Sequence, residues 1–224
     1  MSRSDVAQKP PAIGQDLRRF PAALLTAKPR FRAHATSNGV WWFATSGDGR
    51  FDLTTPSGGD GTCYLADSIR AAVRERFGEL VVDRQAVSRA RADEFMVSAV
   101  MPPAGRYANV TATKADSHGI TRELCTMTEY GATQAWSAAF HAAGFAGVRY
   151  SSRYTSAAGP NAWAMFGPAG ESAPADRVVD GTPVPNIIRT TDGLNAARLA
   201  GIEVLPPIPA SSTAVTWVAS PPRP

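Results

Sequence analysis

The sequence lacks the short motifs that mark common nucleotide-binding and hydrolytic sites. Its 224 residues contain no Gly-x-x-x-x-Gly-Lys-Ser/Thr loop, no Gly-x-Gly-x-x-Gly stretch and no Gly-x-Ser-x-Gly elbow. It therefore gives no support to a P-loop nucleotidase, a Rossmann dinucleotide-binding domain or an α/β-hydrolase.

Ligands for a metal site are also scarce. The chain contains two cysteines, Cys63 and Cys125, and three histidines that lie far apart in the sequence. No Cys-x-x-Cys pair occurs, so the clustered ligands of a structural zinc site are missing. The two cysteines could form a disulfide, but a cytoplasmic chain would keep both thiols reduced. We therefore expect no metal.

Long apolar segments are absent as well. No run of about 18 apolar residues exists that could span a bilayer. Residues 1–20 are polar and lack the apolar core of a signal peptide. Both observations favour a cytoplasmic protein without membrane contact.

Lysine is rare, whereas arginine is common. The only lysines are Lys9, Lys28 and Lys114, although the net charge is +4. Arginine binds phosphate and carboxylate groups through a planar pair of donors, which lysine lacks. A gene rich in guanine and cytosine explains the same bias equally well. No basic run with interleaved aromatic residues occurs, so direct nucleic-acid binding is not expected.

What the chain does contain is typical of one globular domain. Hydrophobic residues make up 44% of the chain and charged residues 19%. Strand and helix patterns interleave irregularly, which favours an α+β fold. The strand patterns are PRFRAHA, TCYLA, EFMVSAVM, GVRYSS and NAWAMFG, and the helix patterns are DSIRAAVRERFG and TQAWSAAFHAAG.

The two ends differ from this middle part. Residues 1–28 are polar and broken by prolines, and we expect one short helix near residues 15–25. Residues 206–224 are rich in proline and are expected to lie loosely on the surface. The sequence thus predicts an N-terminal extension (1–28), a main domain (29–205) and a proline-rich tail (206–224).

Three polar residues stand out by their positions in these patterns. Arg32 lies in the strand pattern FRAH, Glu75 at the border of an apolar helix face, and Ser152 at the end of a strand pattern. Each also has an ordinary explanation: a solvated arginine, a glutamate in a surface ion pair and a turn hydroxyl. Arg50, in the loop GDGRF, is a fourth candidate with an ordinary explanation as a turn residue.

In order along the chain, these segments resemble the RES-domain family, which is named for an arginine, a glutamate and a serine. The resemblance covers roughly residues 29–167. It departs from the family pattern at Asp48, which interrupts paired glycines, and at Asp52, where asparagine is common. The matching segments are FRAH, GDGRFDL, GTCYLADSIRAAVRERFG, QAWSAAFHAAGFAGVRYSSR and AWAMFG.

The resemblance implies a fold, a substrate and a partner. The fold is α+β and like that of ADP-ribosyltransferases, with a mixed, split β-sheet core and flanking helices. The substrate is NAD, and residues 29–205 are the NAD-binding catalytic domain. Relatives include toxins that an Xre-type antitoxin protein inhibits. The residues carried over are Arg32, Glu75 and Ser152 as catalytic, and Arg50, Tyr64 and Ser151 as NAD-binding.

The chemistry of NAD cleavage suits these residue types. Breaking the bond between nicotinamide and ribose builds positive charge on the sugar, which a carboxylate such as Glu75 stabilises. Arg32 and Arg50 are suited to the pyrophosphate, and Tyr64 to stacking on the nicotinamide ring. The acceptor stays open: water or phosphate in an NAD-degrading enzyme, or a protein in an ADP-ribosyltransferase. A non-catalytic nucleotide-binding or interaction module is a further alternative.

Two adjacent serines, Ser151 and Ser152, could each be the functional serine. Successive strand residues face opposite sides, so Ser152 shares a face with Val148 and Tyr150, whereas Ser151 shares a face with Arg149. We expect Val148 and Tyr150 to lie on the covered side. Ser152 is therefore predicted to be the functional serine.

Overall fold

The structure is a computed structural model that describes residues 7–25, 28–54, 59–78, 86–156, 161–171, 178–179, 182–183 and 187–207. Two 3-10 helices, Thr113–His118 and Arg122–Cys125, occur in these ranges. The α-helices are α1 (Ile69–Phe77), α2 (Arg89–Asp93), α3 (Gly131–Ala142) and α4 (Gly193–Leu199). The strands are β1 (Ala22–Leu25), β2 (Arg30–Ala35), β3 (Trp42–Phe43), β4 (Asp60–Ala66), β5 (Ala86–Ser88), β6 (Phe95–Val100), β7 (Gly105–Asn109), β8 (Gly147–Tyr150), β9 (Ala162–Pro168), β10 (Gly170–Glu171), β11 (Val178–Val179), β12 (Thr182–Pro183), β13 (Ile187–Asp192) and β14 (Glu203–Leu205).

A mixed sheet forms the centre of the fold, and it is split near its middle. Its strand order in the described residues is β1-β7-β8-β9-β4-β2-β6-β13. All neighbours are antiparallel except β7 and β8. Strand β4 pairs with β9 along its whole length, and β2 does so with β6. Between β2 and β4 the only register pair that the described residues show is Phe31 with Ala66. The predicted α+β fold with a split sheet and flanking helices is thus confirmed.

Helix α1 lies beside the split and begins and ends where the sequence predicts. The hydroxyl of Ser68 accepts a hydrogen bond from the Ala71 amide at the N-terminus, a cap that typically stabilises a helix by about 1 kcal/mol. Gly78 ends the helix with a positive φ of 43°, a conformation that glycine adopts without strain. The buried side chains of Val73 and Phe77 attach the helix to the sheet, where Phe77 meets Phe95 edge to face. This packing orients the opposite side of α1 toward the split.

Helix α3 covers the other half of the sheet. Its buried residues Trp136 and Phe140 pack with Phe145, which lies just before β8. Gly147, at the start of β8, lets the backbone come close to β9, since a Cβ there would lie 2.1 Å from the Ala164 carbonyl oxygen. This close packing positions the end of β8, where Tyr150 is followed by the serine doublet.

Residues 7–25 take part in the fold. Strand β1 pairs with β7, and Leu17 and Phe20 are buried in the core beneath α3. The expected helix near residues 15–25 is wrong, because that segment forms turns followed by β1. The predicted tail, residues 206–224, lies outside the described residues from position 208 onward.

Candidate active site

A cleft of about 670 Å³ opens where β2 and β4 separate. Helix α1, the loop of residues 46–50 and the segment after β8 form its other walls. Four of the site residues predicted from the sequence line this cleft: Arg32, Arg50, Tyr64 and Glu75. The split in the sheet therefore brings together residues that are far apart in the chain.

Glu75 projects from α1 into the cleft and is partly buried. Its Oε2 accepts a hydrogen bond from the Tyr150 hydroxyl at 3.2 Å. Its Oε1 is shielded from solvent and has no hydrogen-bond partner among the described residues. Burial raises the pKa of Glu75, and the hydroxyls of Ser152 and Tyr150 and the charge of Arg50 act in the opposite direction. The carboxyl group is thus held in the cleft with one oxygen to which no described residue bonds.

Ser152 lies directly after β8 and faces Glu75. It is buried, with 5% of its surface exposed. Its amide donates to the Asn161 side chain at 2.9 Å, and its hydroxyl accepts from the Tyr154 amide at 3.2 Å. Ser151 is more exposed, and its backbone acts to lower the pKa of the Cys125 thiol, which burial raises. Of the two serines, Ser152 is the one near the carboxyl group, and its functional role stays a prediction.

Arg32 lines the cleft, but its guanidinium group is largely engaged by the protein. Its Nη1 donates to the Val40 carbonyl and to the Cys63 sulfur, and its Nη2 donates to the Trp42 carbonyl at 2.6 Å. Cys63 belongs to β4, on the far side of the split. Arg32 therefore joins the separated strands and fixes the loop that leads into β3.

Arg50 is also buried and engaged. Its Nη1 donates to the Met127 carbonyl, and its guanidinium carbon lies 5.1 Å from the centre of the Tyr130 ring. Thr133, on α3, donates its hydroxyl proton to the Arg50 carbonyl. These contacts attach the loop of residues 46–50, called the glycine-rich loop below, to the segment that leads into α3.

Tyr64 fixes the same loop through its hydroxyl group. It donates to Oδ1 of Asp52 at 2.8 Å and accepts from the Phe51 amide at 2.9 Å. Asp52 is buried, and its Oδ2 accepts from the Gly49 amide. A Cβ at Gly49 would lie 2.3 Å from Oδ1 of Asp52, so this turn requires glycine. The aspartate that departs from the family pattern is thus a loop anchor, and the ring of Tyr64 remains on the cleft wall.

The fold also brings to the cleft several residues that were not predicted from the sequence to belong to the site. Tyr130, Tyr150, Arg76 and Arg153 line it, as does the buried His34. The sequence carried a signal for Arg76 and Arg153, because each is adjacent to a predicted site residue. No local pattern marks Tyr130 or the contact of Tyr150 with Glu75, which joins residues 75 positions apart.

The part of the chain that the structure describes contains neither a cluster of metal ligands nor a membrane-spanning helix. No group of three or more His, Cys, Asp or Glu side chains is placed to hold a metal ion there. No helix there is both long enough and apolar enough to cross a membrane.

Comparisons with known proteins agree with this architecture. The chain is similar to a chain of the M. tuberculosis MbcT–MbcA toxin–antitoxin complex, with a TM-score of 0.54 and 16% identity. The alignment covers 80% of this chain and 92% of that chain. No protein with a curated description matches the sequence. The family model of the RES domain matches residues 24–186, which is most of the chain, and the protein therefore belongs to the RES domain family.

Proposed function

We propose that this protein is an NAD-consuming enzyme that cleaves the bond between nicotinamide and ribose. The observation that carries the proposal is the Glu75 carboxyl group. It lies partly buried in the cleft, with Oε1 shielded and without a partner among the described residues. A carboxylate so placed is suited to a ligand that develops positive charge beside it.

Cleavage of NAD produces positive charge on the ribose. The bond from ribose C1′ to the nicotinamide nitrogen breaks, and its electron pair leaves with nicotinamide. The sugar passes through an oxocarbenium-like state until an oxygen of water or phosphate bonds to C1′, and an attacking water then releases one proton to solvent. Ionised Glu75 stabilises that state electrostatically, in a site where its negative charge is poorly screened by water. The hydroxyls of Tyr150 and Ser152 favour the ionised form that this role needs.

The neighbouring side chains have supporting roles in the proposal. Ser152 bonds to the ribose or to the nicotinamide amide, and Ser151 is the alternative if the register differs by one residue. The Tyr64 ring stacks on nicotinamide, because its hydroxyl is already used by Asp52 and Phe51. Arg32 and Arg50 supply positive charge, while Nη1 and Nη2 of Arg32 and Nη1 of Arg50 bind the protein.

We further propose that the protein is the toxin of a toxin–antitoxin system and that an Xre-type antitoxin inhibits it. The RES-domain family membership supports this role, as does the likeness to the M. tuberculosis toxin–antitoxin structure. NAD depletion by the enzyme would then be the toxic event. Induced expression in a host without the antitoxin should stop growth and lower cellular NAD, whereas expression of Glu75→Gln should do neither.

The direct test is an incubation of the purified protein with NAD, with the products identified by mass spectrometry. Free nicotinamide together with ADP-ribose indicates transfer to water, and a phosphorylated ADP-ribose indicates transfer to phosphate. Modified protein with little free ADP-ribose would identify a protein ADP-ribosyltransferase instead. Glu75→Gln should be inactive, and Glu94→Gln should be fully active, because Glu94 is exposed and paired with Arg91. No turnover by the wild-type protein would leave a binding module and refute the proposal.

A further inference from the structure

Two arginines on the cleft wall differ from Arg32 and Arg50 in what their charged groups contact. Arg76, on α1, makes no hydrogen bond or ion pair with the described residues. Arg153 makes no hydrogen bond or ion pair with them either; its guanidinium carbon lies 5.0 Å from the centre of the Tyr154 ring, and its charge acts on the Glu75 carboxyl group. Both side chains line the cleft. Their donors are therefore available to a ligand.

The buried arginines are not available in the same way. Nη1 and Nη2 of Arg32 bond to two backbone carbonyls and a sulfur, and Nη1 of Arg50 bonds to the Met127 carbonyl. A phosphate that took these donors would have to leave the carbonyls unpaired, which is costly for buried groups. Arg76 and Arg153, whose donors bond to no described residue, bind an anion without that loss.

The charge around Arg76 also favours an anion. Desolvation lowers the pKa of Arg76, and the positive charges of Arg91 and Arg32 act in the same direction. Glu94 opposes them, but its carboxylate is paired with Arg91 at 2.6 Å. Positive charge thus accumulates at this end of the cleft, and no carboxylate of a described residue is bound to Arg76.

We infer that Arg76 and Arg153 bind the diphosphate of a nucleoside diphosphate ligand in the cleft. Each guanidinium group donates a pair of hydrogen bonds to phosphate oxygens. Arg32 and Arg50 are positioning residues that fix the cleft walls. This inference rests on the proposed function for the choice of ligand, and it names residues that neither the family motif nor the sequence pattern assigns.

Binding of ADP-ribose, pyrophosphate and adenosine, measured by calorimetry, tests the inference without any need for turnover. Arg76→Gln and Arg153→Gln should each weaken ADP-ribose and pyrophosphate about 10- to 100-fold, as expected when a charge-assisted hydrogen bond is lost. Adenosine lacks phosphate, so its affinity should not change. Arg89→Gln is the matched control, because Arg89 is exposed and paired with Asp93 outside the cleft, and it should bind all three ligands normally.

The outcomes separate this inference from the proposed function. Unchanged ADP-ribose affinity in both variants would overturn the inference, and so would an equal loss for adenosine. A wild-type protein that binds neither ADP-ribose nor pyrophosphate would overturn it too. A protein that leaves NAD intact but binds ADP-ribose through Arg76 and Arg153 would refute the enzyme and support the diphosphate site. Thermal unfolding of each variant shows whether a loss of binding reflects a loss of folding.

Discussion

The Tyr150 hydroxyl, at the last residue of β8, donates a hydrogen bond of 3.2 Å to Oε2 of Glu75 in the last turn of α1. Tyr150 is almost fully buried, and its ring packs on Phe51 with a centroid distance of 4.8 Å. The hydrogen bond thus links the two halves of the cleft to the glycine-rich loop. It also stabilises the ionised carboxyl group on which the proposed reaction depends.

Tyr150→Phe removes this hydrogen bond and keeps the ring. We expect NAD turnover at neutral pH to fall roughly tenfold, in line with the loss of one hydrogen bond to a charged group. The pKa of Glu75 should rise further, because burial remains and one opposing hydroxyl is lost. The acid side of the profile of kcat/KM against pH should therefore move to higher pH.

Tyr107→Phe is the control for that variant. The Tyr107 hydroxyl is buried and has no hydrogen-bond partner among the described residues, so its removal should leave activity and its pH profile unchanged. If Tyr150→Phe behaves like this control, the hydroxyl has no part in the ionisation of Glu75.

Glu75→Gln should stabilise the fold at neutral and alkaline pH while it abolishes turnover. Burial raises the pKa of Glu75 above its usual 4.5. The contribution of this carboxyl group to the free energy of unfolding is fully present below the pKa that Glu75 has in the unfolded chain. That contribution is lost as the pH rises through the higher pKa of Glu75 in the folded protein. Glutamine does not ionise, so the stability of the variant does not fall in this way as the pH rises. Its Tm should exceed that of the wild-type protein at pH 8, and the two values should converge near pH 4.

Glu94→Gln, with its Tm measured over the same range of pH, is the control for Glu75→Gln. Glu94 is exposed and ion-paired, so its replacement should not raise the Tm at pH 8. A Glu75→Gln variant that matches the wild-type protein near pH 4 but is less stable at pH 8 would show that the ionised carboxylate is favourable in the fold.

Much of this architecture is visible in the sequence because it depends on local rules. Ser68 and Gly78 are cap residues of the kinds that end helices, and the apolar face of α1 follows helical spacing. That spacing places Glu75 at the border of the buried face, which is where it lies.

Features that depend on tertiary contacts could not be predicted in this way. The pattern RFRAHA favours Phe31 and Ala33 as the buried face of β2, yet Arg32 and His34 are the more buried residues. Both faces of β2 are covered, one by helices and the other by the loop before β3, so alternation does not identify the inner face. Residues 15–25 likewise form no helix, because β7 provides a partner for β1.

The serine doublet offers a sharper test of register. Ser152→Ala removes a buried hydroxyl that faces Glu75 and accepts from the Tyr154 amide, so we expect turnover to fall at least about tenfold. Ser151→Ala should change turnover less than about twofold, because it is the hydroxyl of Ser152, and not that of Ser151, that acts on the Glu75 carboxyl group. Steady-state kinetics of both variants, with matched melting curves, compare the two residues. The reverse ranking would assign the functional role to Ser151.

Arg32→Lys tests whether Arg32 acts on the fold or on NAD. Lysine keeps the charge but lacks the planar pair of nitrogens that reaches the Val40 and Trp42 carbonyls together. We expect a loss of about 1–3 kcal/mol in the free energy of unfolding, since buried carbonyls lose their donors. Urea denaturation measures this loss, and Arg89→Lys, at an exposed ion pair, should stay within about 0.5 kcal/mol of the wild-type protein. NAD affinity at a temperature where the variant is folded then separates the two roles. A variant of normal stability that binds NAD weakly would mean that Arg32 contacts the ligand directly. If Arg32 only joined β2 to the loop before β3, its replacement could weaken NAD binding only by loosening the cleft wall, and the stability of the variant would then be lower.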